Sequence, residues 1–423
     1  MNLMHSAKNP WYLQSSLTCF LFFCSWGIWW AFFQLWLTSE RAGLMLSGGE
    51  VGTVYSVNSI TSLILMLLYG MAQDRLGIKR NLLIAVAAIA MLIGPFATWV
   101  YRPLLATNLM MGAIVGSLVL SAGFIAGCSL VEALTERFSR RFNFEYGQAR
   151  AWGSFGYAVV ALVGGFLFSI DPSLNFWVGS LFGLAMLLNV LLWRPRAERE
   201  ADHAAASTEA APTPSFRQML SLLRIPMLWA LIVFVVFSWT FYTVFDQQMF
   251  PDFYTHLFES PEQGQRFYGT LSSVQVFLES AMMGLVPVIM RKVGVRNTLL
   301  LAMVVMFIRL LGCATFTNPI VISLVKMLSA VEVPMFSLPI FRYFTLHFNP
   351  SMSATLYMIG DQIAAQLGTA ALSTPLGSLR DAIGYHRTFL IITGIVFAAA
   401  IYAWFILKKD DEHVEGDPFV RDK

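Results

Sequence analysis

Arg75-Leu76-Gly77-Ile78-Lys79-Arg80-Asn81-Leu82-Leu83 returns far down the chain as Lys292-Val293-Gly294-Val295-Arg296-Asn297-Thr298-Leu299-Leu300. Each copy is a basic, glycine-centred turn between two long apolar runs. Gly77 and Gly294 each permit a tight turn, and the cations beside them suit a lipid interface. Working outward from the two copies, the apolar runs fall into two sets of six, each about 20 residues or more and long enough to span a bilayer. The first set is expected at 12–38, 51–72, 81–101, 104–133, 147–168 and 173–193. The second is expected at 226–249, 266–290, 297–316, 318–346, 353–376 and 385–407. Each copy of the turn lies between the second and third runs of its set. The expected fold is therefore an all-α membrane protein, with twelve transmembrane helices in two pseudo-symmetric six-helix bundles.

Composition agrees. The 423 residues are 57% hydrophobic and 13% charged, with mean hydropathy +0.63. A soluble domain carries about 25% charged residues. The stretch from Leu17 to Leu37 is too long for the core of a signal peptide, and no small-residue cleavage site follows it. It is expected to be the first span. The four cysteines (Cys19, Cys24, Cys128, Cys313) all fall in apolar runs, in neither a disulfide framework nor a CxxC metal pattern. They read as small core residues, and no metal or cofactor is expected.

The net charge of +3 matters less than its distribution. With both termini in the cytoplasm, about 20 Lys and Arg fall inside and about 5 outside, which satisfies the positive-inside rule. The inner clusters are Arg75/Lys79/Arg80, Arg137/Arg140/Arg141, Arg194/Arg196/Arg199 and Arg291/Lys292/Arg296. All flank spans, so no nucleic-acid partner is needed to explain them. The longest internal loop contains the small, polar, proline-bearing run 204–215 and reads as a flexible linker. The expected domains are 1–193, a linker at 194–224, a second bundle at 225–408 and a tail at 409–423.

Eight ionisable residues interrupt the apolar runs: Glu132, Arg150, Asp246, Glu279, Arg309, Lys326, Glu332 and Asp361. A charge in hydrocarbon costs at least ~2.5–3.5 kcal/mol, so such residues face partners or a watery cavity and mark an ion or substrate path. Five are acids and three are bases, an imbalance of two negative charges if all ionise. An unpaired carboxylate in an apolar medium takes up a proton instead, so one or two of these acids should be protonated in at least one state. A carboxyl that gains and loses a proton as its surroundings change is what a proton-coupled carrier requires. Histidine is the other usual carrier. His5, His203, His256, His347, His386 and His413 all lie in loops, tails or span ends. A proton relay here must run on carboxylates.

Glu332 is the leading candidate. Lys326, Ser329 and Glu332 cover about a third of the helix circumference, one face. Arg309, in the preceding span, would drive the proton from Glu332 on close approach. Asp246 and Lys326 most simply neutralise each other, and a static charge network is the alternative reading for the whole group. In the first half, Glu132 and Arg150 offer acceptors and a planar donor fork to sugar hydroxyls. Tyr157 lies two turns beyond Arg150 and could stack on a pyranose, or simply pack. Ser272, Gln275 and Glu279 form one polar stripe that should line a cavity. Tyr242 precedes Asp246 by one turn. Asp361 has only Gln362 and Gln366 for polar company in its span. Contact with substrate, pairing with Arg309 or Lys326, and a neutral acid all remain open for it.

Gly70-Met71-Ala72-Gln73-Asp74-Arg75-Leu76-Gly77-Ile78-Lys79-Arg80 resembles the signature of the major facilitator superfamily. In that superfamily the motif gates the conformational change and does not touch substrate. Further resemblance is to the oligosaccharide/proton symporters, the lactose-permease branch. It rests on Val131-Glu132-Ala133, on Ser139 through Arg150, on Phe245-Asp246-Gln247-Gln248 and on Lys326 through Pro334. It covers nearly the whole chain apart from the linker and the tail. Within the branch the chain looks closest to the sucrose permeases, through Ser25-Trp26, Trp29-Trp30, Ala149 through Tyr157, Leu257 through Ser260 and Gln275 through Glu279.

The resemblance implies proton-coupled disaccharide uptake, sucrose being the expected sugar, across the bacterial inner membrane by a carrier that works as a monomer. It places sugar on Glu132, Arg150 and Tyr157, with Gln275, Glu279 and Ser329 from the second half. It places the proton on Glu332, assisted by Arg309, and makes Asp246 and Lys326 a charge pair. Ser329 stands where the family has a histidine, and Asp361 where a neutral or aromatic residue is expected. Asp361 is thus a candidate compensating acid. The missing histidine keeps an uncoupled uniporter, or an exporter, as the alternative. A non-transporting sensor is disfavoured by the short loops and tail. No mid-span Cys/His pairing or phosphate-binding loop suggests an enzyme.

Overall fold

A computed structural model of the chain describes residues 9–76, 80–193, 222–349 and 353–415, without the side chains at 67, 69–76, 80, 353 and 354. Its described residues are helical through most of each expected span. The helices are α1 (Pro10–Thr38), α2 (Gly48–Leu76), α3 (Arg80–Met91), α4 (Ile93–Thr107), α5 (Leu109–Phe142), α6 (Tyr146–Ile170) and α7 (Leu174–Leu192). They continue as α8 (Pro226–Thr255), α9 (Pro261–Val293), α10 (Val295–Thr315), α11 (Pro319–His347), α12 (353–383) and α13 (Tyr385–Ile406). Nine of these are single helices long and apolar enough to cross a membrane, and the bent pair α3–α4 makes a tenth. Their outer faces expose large apolar side chains such as Leu181, Leu192, Ile320 and Phe405, a surface suited to lipid.

One boundary moves. The third and fourth spans were expected to divide near Arg102-Pro103, but helix continues to Thr107 and breaks at Asn108. Asn108 is extended, and its side chain accepts a hydrogen bond from the Met111 amide at 3.0 Å. Pro103 does not end the helix because the wider π turn Ala97–Tyr101 precedes it and absorbs the missing amide. The 50° bend lies earlier, at Leu92.

The chain divides into two compact units. The first comprises 1–46, 60–213 and 260–276. In it α1 packs on α6 and α7. Glycines allow the close approach: a Cβ on Gly156 would stand 3.0 Å from the Phe20 carbonyl, and one on Gly179 2.9 Å from the Ser25 carbonyl. Asn9 caps α1, with Pro10 in the first turn. An aromatic core of Trp29, Phe33, Trp36, Tyr101, Phe124 and Phe176 fills the unit.

The second unit comprises 47–59, 214–259 and 277–423. Here α10 packs on α11 and α13. Several helices depart from regular geometry. α8 breaks at Ser238 and carries a π turn at Val244–Met249. α12 carries a π turn at Met358–Ile363. The face of α11 expected to be continuous is interrupted at Met327 and Leu328 by tighter bonds, Leu328 to the Val325 carbonyl and Ala330 to that of Met327. The glycine of the second copy of the repeat does what the sequence required: Gly294 adopts φ +92° at the entry to α10. The cap of that helix comes from afar. Asp410 accepts from the amides of Val295 at 2.7 Å and Arg296 at 3.1 Å. The segment after α13 is thereby tied back, with Lys408 N donating to Tyr343 and Val414 N to the His347 carbonyl.

Candidate substrate and proton sites

In the first unit α5 carries Glu132 and α6 carries Arg150. The Arg150 Nε donates to Glu132 Oε1 at 2.6 Å, and a second nitrogen donates to Ser154 Oγ at 3.2 Å. Phe23 of α1 lies beneath the guanidinium, 4.1 Å from ring centroid to Cζ. Arg150 and Glu132 keep 28% and 34% of their side-chain surface exposed, so both retain hydrogen-bonding capacity for a ligand. Tyr157 lies on the backbone of α1: a Cβ on Gly27 would stand 2.6 Å from its Cδ2. The expected trio thus shares one unit. Phe23, Ser154 and Gly27 belong with it and were not anticipated. Ser154 was legible as the residue one turn from Arg150, but Phe23 and Gly27 lie on another helix, whose rotation no local pattern reveals.

In the second unit four expected charges converge from three helices. Arg309 of α10 grips Glu332 of α11 with two bonds, Nε to Oε2 at 2.6 Å and a terminal nitrogen to Oε1 at 3.1 Å. Its remaining terminal nitrogen reaches Asp246 Oδ1 on α8 at 3.2 Å. Lys326 donates to the same Asp246 oxygen. Two acids and two bases leave the cluster neutral, which is how charges persist at 0% exposure for Arg309 and 2% for Glu332. Aromatic faces complete the shell: Tyr242 and Phe245 lie 5.1 Å from the guanidinium, and Phe250 lies 4.8 Å from the ammonium. The Tyr242 hydroxyl donates to Asp246 Oδ2 at 3.5 Å. The π turn in α8 holds Asp246 at this junction.

Other expected residues are placed differently. Ser329 is buried, and its hydroxyl donates to the Lys326 carbonyl at 2.7 Å, back along its own helix. Ser272 and Gln275 are buried in the first unit's share of α9, while Glu279 belongs to the second unit, close enough for its charge to act on Tyr242. Asp361 pairs with neither Arg309 nor Lys326. Its carboxyl accepts from Gln362 Nε2 at 3.0 Å and lies within hydrogen-bonding reach of Tyr357. Of the residues expected to form a gating motif, Gly77 and Lys79 lie outside the described residues, as do the side chains of Asp74, Arg75 and Arg80, and Gly70 is described only as backbone of α2. Among the described residues no three His, Cys, Asp or Glu side chains gather as metal ligands.

A family model described as LacY proton/sugar symporter matches residues 3–416. The chain is 43% identical over 408 residues to the sucrose permease of Escherichia coli, covering 96% of each chain. It is 35% identical over 407 residues to the raffinose permease of Escherichia coli, covering 96% of this chain and 95% of that one. Against the lactose permease of Klebsiella oxytoca it is 35% identical over 379 residues, 89% and 90% of the two chains. Among solved structures, the nucleoside transporter NupG matches at TM-score 0.76 and 16% identity over 94% of this chain and 99% of that one. A D-xylose–proton symporter matches at TM-score 0.67 and 15% identity, over 97% and 99%. These structural likenesses speak to the fold.

Proposed function

Because the chain belongs to the LacY proton/sugar symporter family, we propose that it carries a disaccharide, sucrose, into the cell together with a proton. It does so by alternating access in the bacterial inner membrane, with both termini cytoplasmic and two six-helix halves, 1–193 and 225–408, on either side of the 194–224 linker. The observation that carries this reading is the convergence of Arg309, Glu332, Asp246 and Lys326 in one buried, neutral cluster. Histidine is absent from it, so its only acids are carboxyls. The 43% identity to a sucrose permease supports the choice of sugar.

The roles follow from the chemistry. Glu132 accepts from sugar hydroxyls, and the Arg150 fork donates to them. Tyr157 offers its ring to an apolar sugar face. Gln275 and Glu279 add contacts from α9. Ser329 keeps an acceptor lone pair while its proton is held on the Lys326 carbonyl. Glu332 carries the proton. The doubly bonded Arg309–Glu332 pair corresponds to the proton-free half of the cycle, because a protonated carboxyl cannot accept both of those charged bonds with full strength. Asp246 and Lys326 hold the cluster neutral. Protonated Glu332 favours sugar loading from outside. Rocking then exposes the site inward, sugar leaves and the proton follows.

External pH, followed in lightly buffered anaerobic cells expressing the chain, tests this directly. Adding sucrose should alkalinise the medium, and Glu332→Gln should abolish the signal while sucrose binding persists. Labelled sucrose that equilibrates with no alkalinisation would describe a uniporter instead.

A further inference from the structure

Asp361 has no part in the cycle above, yet it is an ionisable side chain only 4% exposed, in the first third of α12. No described cation offsets it. α8, which packs on its turn, brings Leu228 to the adjacent Gly360 and has no charged residue in that stretch, Pro226–Phe237. On α11, Glu332 is taken by Arg309, Arg342 is exposed and bonds within its own turn, and His347 bonds to the Glu412 carbonyl. On α12 the nearest described charges are Arg380 and Asp381, about five turns away. Tyr357, one turn before Asp361, is the titratable group that faces it.

Two opposing influences meet at this carboxyl. Burial without a counter-charge disfavours the anion. Its neighbours, however, are donors: the Gln362 amide at 3.0 Å and the Tyr357 hydroxyl. A site built for a permanently neutral acid would present an acceptor to its O–H, whereas donors support the carboxylate. The Gln362 amide also donates to Tyr357 at 3.0 Å, so the three groups are linked and can accommodate either form by rotating one hydroxyl. The residue also stands in the π turn Met358–Ile363, where the helical ladder is locally out of step and register can adjust. Access of water in one conformation and its exclusion in another is enough to tip such a balance.

We infer that Asp361 is a second proton-binding site, separate from the Arg309–Glu332 pair, so that two protons accompany each sugar. The inference rests on the symport reading. The carboxylate takes a proton from the aqueous phase when its pocket is wet, holds it as the acid through the transition, and returns it on the other side. A proton site of this kind supplies by a separate route what Ser329, bound to its own helix, does not.

The test uses the full chain in proteoliposomes, with the sucrose gradient balanced against an imposed driving force to give protons per sugar. Wild type should return two and Asp361→Asn one, so that the accumulation ratio at fixed driving force falls to about its square root. Asp361→Glu should restore two. One proton per sugar in wild type, or an unchanged two in Asp361→Asn, overturns the inference. No proton in wild type overturns the symport reading along with it, which separates the two failures. For a variant that binds but turns over slowly, the sucrose-induced infrared difference spectrum serves. Asp361→Asn should remove a carboxyl C=O band that Glu332→Gln leaves in place, and an unchanged spectrum overturns the inference.

Discussion

Removing Asp246 should damage the protein more than removing Lys326, and removing both should recover much of the loss. The reason lies in how Asp246 is shared. It accepts from Lys326 and, at 3.2 Å, from Arg309. In Asp246→Ala the Lys326 ammonium, 3% exposed, is left with only the Phe250 ring among the described residues. An uncompensated buried charge of this kind costs ~3–5 kcal/mol. Lys326→Ala leaves one excess negative charge, but Asp246 is 14% exposed and keeps Arg309 and the Tyr242 hydroxyl, so the loss is smaller, ~1.5–3 kcal/mol. The double variant strands no charge: Arg309 keeps Glu332. Its residual cost is a cavity and lost packing, roughly 1–3 kcal/mol. The assay is the fraction of detergent-solubilised protein remaining monodisperse after a temperature series, read beside sucrose uptake. The expected order of stability is wild type, then Lys326→Ala and the double variant, then Asp246→Ala. Equal damage from the two single substitutions, or a double variant no better than Asp246→Ala, would refute this account of the cluster.

Three further outcomes are expected. Gly27→Ala places a Cβ 2.6 Å from Tyr157, so the ring must move; the apparent affinity for sucrose should fall about tenfold, ~1.4 kcal/mol, as read by equilibrium binding, with folding retained. Asp410→Ala removes the cap on α10 and should cost ~0.5–2 kcal/mol, seen as a lower melting temperature with sugar affinity unchanged. Asp381 lies beyond the apolar part of α12 and accepts from the amides of Gly48 and Gly49 at 2.9 Å each. Partial burial works against its charge, but hydrogen bonds from Arg380 and from those amides outweigh it and hold the carboxyl below the usual aspartate range. Its stabilisation is therefore complete above the ordinary aspartate value and is lost as pH falls through the depressed one. Melting curves in acid should show a slope that Asp381→Asn reduces, and an identical slope would count against the cap.

The spans were legible because a helix in hydrocarbon satisfies its hydrogen bonds locally, so length and apolarity alone reveal it. The turn at Gly294 was legible for a similar reason: a glycine between cations and apolar runs specifies a turn without help from distant residues. So was the list of ionisable residues within the apolar runs, since each is an exception within its own run. Four of them, Asp246, Arg309, Lys326 and Glu332, meet in one cluster in the structure. Their sharing was not legible. A two-by-two pairing of Asp246 with Lys326 and Arg309 with Glu332 omits the third bond of Arg309, which depends on the π turn in α8. Tertiary packing alone put Phe23 under Arg150, laid Tyr157 on Gly27, turned Ser329 away along α11, isolated Asp361 and brought Asp410 back onto α10. Each depends on how far one helix is rotated, shifted or broken relative to another. That is set by side-chain packing between helices, whereas a single helix records only its own periodicity.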